Sequence, residues 1–299
     1  MKVSYVIQEI TSRCFGNCQG CFRKIIPDFR EGDMSDEVFK ASLQGIEPGT
    51  MVCGALHGEP LLHPEFPYLL QLWKARGLKI GLPLSGFTSH HVPAMLAKDS
   101  PVYSVLVSVD GFCDDTQAAH RGCITLPMVD HFVETCLTFR ENNAFIGVRM
   151  TQSTQSELEF ELFLKHWLIE VGVDVICRAK WTDYTKQGSP NLGPDRCHVI
   201  RDGVPTITWD GDVLLCERVP DRKRYVLGNV LKEPLEKILT RVTEHDCCQY
   251  CSLAIVDCGM KGVITFRHGP DIPIYWHSDH YQQFFSLKQN EEGITWATR

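Results

Sequence analysis

Long apolar runs are missing from this chain. No stretch of about 18 consecutive apolar residues occurs among its 299 residues, which excludes a membrane-spanning helix at the level of sequence. Met1, Lys2, Val3 and Ser4 lack the charged-then-apolar layout of a secretory signal. A basic field is missing too. Lys and Arg number 30 against 37 Asp and Glu, a formal net charge of −7, so nothing calls for nucleic acid. The short run Arg222, Lys223, Arg224 reads as solvated surface. No internal repeat and no low-complexity tract stands out. These absences point to a cytoplasmic protein with neither membrane nor nucleic acid as partner. Apolar residues at 43% and charged residues at 22% suit a globular core, and the length suits one large domain or a large one plus a small one.

Cysteine is abundant, with 14 residues. In a reducing compartment that number favours metal sites over disulfides. Cys14, Cys18 and Cys21 stand at CxxxCxxC just after an apolar run over 5–10 that reads as a first strand. Three thiolates on one tight loop hold one face of an iron–sulfur cluster and leave one iron needing another ligand. A zinc knuckle or unrelated thiols is the alternative at this point.

Further along, apolar runs over 51–56, 79–84, 104–109, 145–150 and from 174 read as five more strands. Helical patterns over 35–43, 67–76 and 91–98 alternate with them. So do two amphipathic stripes, one on Val129, Phe132, Val133, Cys136 and Leu137, the other on Phe160, Phe163, Leu164, Trp167, Leu168 and Val171. Six strand–helix units imply a parallel sheet covered on both faces, curled as a full or partial barrel. Active sites of such folds gather at the C-terminal ends of the strands. There stand the cysteine triplet, Gly58-Glu59-Pro60, Ser85-Gly86, Ser108 with Asp110, and Arg149 with Thr151.

A Gly/Pro/Ser/Asn-rich seam at 187–194 ends the alternation. After it, 206–209 and 213–215 around Asp210-Gly211 form a β-hairpin pattern, with a helix near 234–241. Cys197 and Cys216 bracket the hairpin, and Cys247, Cys248, Cys251 and Cys258 follow. Four of these thiolates close either a structural zinc site or a four-iron cluster. Cys53 and Cys136 read as inert buried thiols, Cys113 and Cys123 as unligated residues flanking a loop, and His268, His277 and His280 as surface. The late aromatics Phe266, Tyr275, Trp276 and Tyr281 read as packing.

Taken together these motifs resemble the radical SAM superfamily, and within it enzymes carrying a C-terminal SPASM or twitch domain. Cys14, Cys18 and Cys21 match the signature that holds the catalytic [4Fe-4S] cluster, whose open iron takes S-adenosylmethionine (SAM). His57-Gly58-Glu59-Pro60 is similar to the family's Gly-Gly-Glu-Pro motif, which binds the methionine amino group, with His57 replacing its first glycine. Ser108-Val109-Asp110-Gly111 resembles the fourth-strand motif beside the ribose, and His120-Arg121-Gly122 the segment after it. Ser85 and Thr151 join the implied cofactor-binding set. Gly20 stands where an aromatic is common, and Phe22 is the candidate to pack near the adenine instead. Cys197, Gly211 and Cys216, then Leu227-Gly228-Asn229-Val230, then Cys248 and Cys251 fit the SPASM/twitch pattern. No cysteine follows Cys258, which implies one auxiliary [4Fe-4S] cluster, with Cys258 an alternative ligand.

The resemblance implies a partial (β/α)6 TIM-like barrel over 1–190 and a small α+β auxiliary-cluster domain over 191–299. It implies reductive cleavage of SAM to a 5′-deoxyadenosyl radical that takes a hydrogen atom from a substrate, with an electron donor of flavodoxin or ferredoxin type. The auxiliary cluster would accept an electron from the substrate radical, bind substrate or donate sulfur. Arg149 is the candidate substrate contact, since guanidinium suits hydroxyl or carboxylate anchoring. The signature starts at residue 14, which leaves no room before it for a peptide-recognition domain, so the expected substrate is a small sugar, cyclitol or nucleoside. Peptide maturation is the alternative within the family, and a non-catalytic metal protein the alternative outside it.

Overall fold

The computed structural model describes residues 3, 5–87, 89–152, 158–180, 204–217, 222–242, 261–266 and 272–275. Six parallel strands pair in chain order: β1 (Tyr5–Gln8), β2 (Met51–Cys53), β3 (Lys79–Leu84), β4 (Val102–Ser108), β5 (Phe145–Gln152) and β6 (Val175–Lys180). Parallel neighbours need crossovers. These are α1 (Asp36–Ser42), α2 (Phe66–Ala75), α3 (Val92–Leu96), α4 (Asp114–Arg121), α5 (Leu126–Phe139) and α6 (Phe160–Leu164), which runs on as a π-helix over Lys165–Val171. The result is the expected α/β partial barrel, with the sheet open.

Local chemistry starts and seats these elements. Ser35 Oγ accepts the Val38 N–H at 3.3 Å and caps α1. α2 buries Phe66, Leu69, Leu70 and Trp73, the i, i+3, i+4, i+7 stripe of a helix packed on a sheet. Its Trp73 Nε1 donates to Gln8 Oε1 at 2.8 Å, while Gln8 Nε2 donates to Ser42 Oγ, so the buried amide is satisfied. In β3, Ile80, Leu82 and Leu84 join the helix-covered core and Lys79, Gly81 and Pro83 lie half-open on the other face. That face also carries half-buried Tyr5, Ile7, Cys53, Ser108 and Arg149. One face is sealed by helices; on the other, Met51, Ser104, Leu106 and Cys177 are buried beside these half-buried residues, so it is only partly open.

Both edges of the parallel sheet are extended by later strands. β7 (Thr206–Ile207) pairs parallel with β1, and β8 (Asp212–Leu214) and β9 (Val226–Asn229) follow antiparallel. The expected hairpin thus adds to the barrel sheet itself. Its turn places Gly211 at φ +87°, a conformation costly for other residues. The expected late helix is α7 (Leu235–Leu239). On the far edge β10 (Lys261–Phe266) pairs antiparallel with β6, and β11 (Ile272–Tyr275) with β10, giving eleven strands in one sheet among the described residues. Phe266 and Tyr275 fall in these two strands; Trp276, Tyr281, His268, His277 and His280 lie outside the described residues. Pairing covers both edges of the six-stranded parallel sheet and moves the edges of the open sheet to β9 and β11.

One loop of the sequence reading is a helix. Cys113 and Cys123 flank α4, not a loop. Its apolar stripe is absent because polar groups hold it. Glu159 accepts from Phe112 N at 2.6 Å, Cys113 N at 3.1 Å and the Thr116 hydroxyl. Buried Gln117 accepts from Asp110 N at 3.0 Å and donates to Ile124 O at 3.1 Å. Among the described residues no helix is long and apolar enough to cross a membrane.

Candidate functional site

The cysteine loop leaves β1 and is pinned from two sides. Gln19 N donates to His120 O at 3.0 Å, Cys18 Sγ to Arg121 O at 3.7 Å, and Cys123 N to Asn17 Oδ1 at 3.0 Å. From the other side Arg23 donates to Gly16 O at 2.8 Å and Cys14 O at 3.3 Å, and its Nε reaches Cys21 Sγ at 3.5 Å. A Cβ on Gly16 would meet Cys14 Sγ at 3.4 Å and Cys18 Sγ at 3.5 Å. The three thiols are half-buried. Burial pushes the Cys14 thiol up, with Glu59 adding to it and Arg23 opposing; burial also pushes Cys18 up, with Arg121 opposing. A metal bound here would take these groups as thiolates and release their protons. Three soft donors around a glycine, flanked by Arg23 and Arg121, fit one face of an iron–sulfur cluster. Among the described residues no group of three His, Cys, Asp or Glu converges as a single-ion site does.

The turn after β2 is welded to the same loop. Glu59 N donates to Arg13 O at 2.7 Å, one residue before Cys14. Gly58 is needed because a Cβ there would lie 2.1 Å from Thr11 O and 2.9 Å from Arg13 O. Glu59 is 1% exposed. Its Oε2 accepts from Ser85 N at 2.7 Å, and its Oε1 has no hydrogen-bond partner among the described residues. Burial raises its carboxyl to about 7, against the hydrogen bonds from Ser85 and Leu61 and the nearby Arg121. A buried carboxylate oxygen without a donor is the cradle a ligand ammonium would fill. Pro60 opens the 3-10 turn Pro60–Leu62 that follows.

Asp110 closes the third side. It accepts from Thr151 N at 2.7 Å and sits 3.5 Å from Arg121 Nη1. Ser108 pairs in register with Arg149 across β4 and β5. The loop, Glu59, Ser85, Ser108, Asp110 and Thr151 are thus linked by hydrogen bonds, an ion pair or strand register on one rim, as the sequence expects. Phe22 stacks on His57, ring centroids 5.2 Å apart at 20°. Arg149 lies across Cys177 in register and acts electrostatically on both Cys53 and Cys177. Cys53 is half-buried and burial pushes its thiol up; Cys136 is buried, its thiol pushed up to about 12; both fit the reading as inert thiols.

Two residues escaped the sequence reading. Glu9, fully buried, contacts His57 Nδ1 through Oε1 at 3.0 Å and Arg222 through both oxygens, at 3.2 and 3.4 Å. Arg222 is therefore not solvated surface. Its side chain is 17% exposed, while Lys223, beside Asp28, and Arg224 are exposed. The second residue is Glu217, next to Cys216, whose charge acts on both Cys53 and His57. No local motif marks either contact, since the partners are far apart in sequence.

Of the second cysteine set, Cys216 is half-buried just past β8. Cys197, Cys247, Cys248, Cys251 and Cys258 lie outside the described residues.

Residues 197–252 match the SPASM family, an iron–sulfur cluster-binding domain; Cys197, Cys216, Cys248 and Cys251 fall within the match and Cys258 beyond it. The tungsten-containing aldehyde ferredoxin oxidoreductase cofactor-modifying protein of Pyrococcus furiosus is 23% identical over 330 residues, covering 90% of this chain and 91% of that protein. The solved structure of native anSMEcpe with bound AdoMet has a TM-score of 0.62 at 16% identity and covers 95% of this chain and 96% of its own. SuiB of Streptococcus suis bound to precursor peptide SuiA has a TM-score of 0.60 at 13% identity, covering 82% of this chain and 66% of its own. The two structures share this chain's fold.

Proposed function

We propose that this chain, a radical SAM-type barrel joined to a SPASM iron–sulfur domain, is an enzyme that cleaves SAM and abstracts hydrogen from a bound substrate. The observation that carries this reading is the junction of Glu59 N with Arg13 O. It puts a buried carboxylate oxygen, without a hydrogen-bond partner among the described residues, within electrostatic reach of Cys14. Cys14, Cys18 and Cys21 would hold a [4Fe-4S] cluster, and Glu59 would accept the methionine ammonium of SAM. Bound there, cluster and SAM supply a 5′-deoxyadenosyl radical at the expense of one electron from a flavodoxin- or ferredoxin-type donor. The chain's own part is to fix geometry and exclude water. Asp110, Ser108, Ser85 and Thr151 line the rim where the nucleoside would lie, and Phe22, already stacked on His57, bounds it.

Deprotonated Glu59 is the form that accepts an ammonium. Because burial raises its carboxyl to about 7, SAM affinity should rise as pH increases through about 7 and fall below it. Glu59→Gln should weaken SAM binding roughly 10- to 100-fold, the worth of a hydrogen bond to a charged group, and flatten that pH profile. Equilibrium dialysis of SAM between pH 6 and 8.5 checks both; an unchanged profile in the variant counts against Glu59.

On the open face Arg149, Tyr5, Cys53 and Ser108 offer one cation amid small polar and apolar groups. This supports a small substrate bearing hydroxyl or carboxylate groups, with Arg149 as its contact. A peptide is the second reading, favoured by the precursor peptide bound to SuiB. The proposed division is a barrel over 1–190 and an auxiliary domain over 191–299. Cys216, with Cys197, Cys248 and Cys251 and Cys258 in reserve, would hold an auxiliary [4Fe-4S] cluster that takes the electron from a substrate radical. A reducing, cytoplasmic setting suits exposed Cys113 and Cys123 beside such clusters. Cys216→Ala should spare uncoupled 5′-deoxyadenosine formation while cutting product yield severely. Product assays against sugar, nucleoside and peptide panels test substrate and cluster role together. Turnover of peptides alone removes the first reading, and wild-type yield in the variant removes the auxiliary role.

A further inference from the structure

His57 stands one residue before Gly58 and two before Glu59, so whatever fixes its ring fixes the turn that presents Glu59. Gly58 has no freedom to compensate, because Thr11 O closes over its α-carbon. The His57 side chain is 4% exposed and has two ring neighbours from the segment after the cysteines: Phe22, stacked on it, and Phe29, edge-on at 6.4 Å. Its Nδ1 meets both Glu9 Oε1 and the Arg222 guanidinium. Arg222 also forks onto the two Glu9 oxygens and lies over the Phe29 ring at 5.7 Å. One guanidinium therefore touches the end of β1, the Glu59 turn and the post-cysteine segment. It arrives from the chain six residues past Cys216, inside the matched iron–sulfur domain.

A buried carboxylate such as Glu9 is costly without a cation, and a planar fork satisfies it in a way that a point charge does not. Without Arg222, Glu9 would be left with the His57 ring as its side-chain partner among the described residues and would draw that ring toward itself. Resting on the reading above, we propose that Arg222 is a positioning residue for the SAM site, by which the auxiliary iron–sulfur segment holds the His57–Glu59 turn in its SAM-accepting geometry. Arg222 contacts Glu9, His57 and Phe29, and its effect runs through His57.

The test is anaerobic, reconstituted full-length protein with Arg222→Gln and Arg222→Lys, reading iron content, SAM dissociation constant and the change that SAM produces in the electron paramagnetic resonance of the reduced protein. Arg222→Gln should keep wild-type iron content, bind SAM roughly 10- to 100-fold more weakly, as loss of a charged hydrogen-bonded contact does, and show a diminished SAM-induced spectral change. At saturating SAM its 5′-deoxyadenosine rate should approach wild type. Arg222→Lys keeps the charge and loses the fork, so it should fall between the two, and it serves if the glutamine variant does not fold. Either variant with full iron and wild-type SAM affinity overturns the proposal alone. Wild-type protein that binds no SAM overturns both the functional reading and this proposal.

Discussion

Cys18→Ala should abolish 5′-deoxyadenosine formation. The loop has three thiol donors for one face of the cluster, and removing the middle one leaves two. The loss should be chemical rather than a failure to fold. The loop backbone stays tied by Gln19 N to His120 O and by Asn17 to Cys123 N, neither of which needs the Cys18 sulfur. Circular dichroism should be unchanged, while iron falls by about four per chain relative to wild type. Detectable 5′-deoxyadenosine from a variant with wild-type iron would remove Cys18 from the ligand set.

Gly58→Ala should be nearly as severe, for a different reason. The added methyl would lie 2.1 Å from Thr11 O and 2.7 Å from Thr11 C, both backbone atoms of the segment leading into the cysteines. No side-chain rotation relieves such an overlap, so either the Glu59 turn or the cluster loop must shift. Overpacking of this kind costs about 1–3 kcal/mol in stability. Functionally the cost is larger, because the shift breaks the Glu59 N to Arg13 O bond and moves the carboxylate away from Cys14. SAM affinity should fall at least tenfold and the melting temperature drop by several degrees. A variant with unaltered SAM affinity would show that the turn is not part of the binding surface.

The legible parts of this molecule were those with local pattern. Alternation in β3 and the stripe of α2 announced themselves, and strand ends carried Glu59, Ser85, Ser108, Asp110 and Thr151 to one rim as expected. α4 was missed because Glu159 and Gln117 hold it through polar contacts, which leave no apolar periodicity. Arg222 was misread because a run of three cations looks solvated; its partner Glu9 lies 213 residues away. β10 and β11 were missed because edge pairing to β6 depends on register between distant segments, which no local motif encodes.

The most direct test of the central claim is to purify the protein without oxygen, count its iron, reduce it and add SAM. The account predicts a brown protein with about eight irons and eight sulfides if both clusters are of the four-iron type, and release of methionine and 5′-deoxyadenosine. A colourless, zinc-loaded protein that leaves SAM intact under reduction would contradict it.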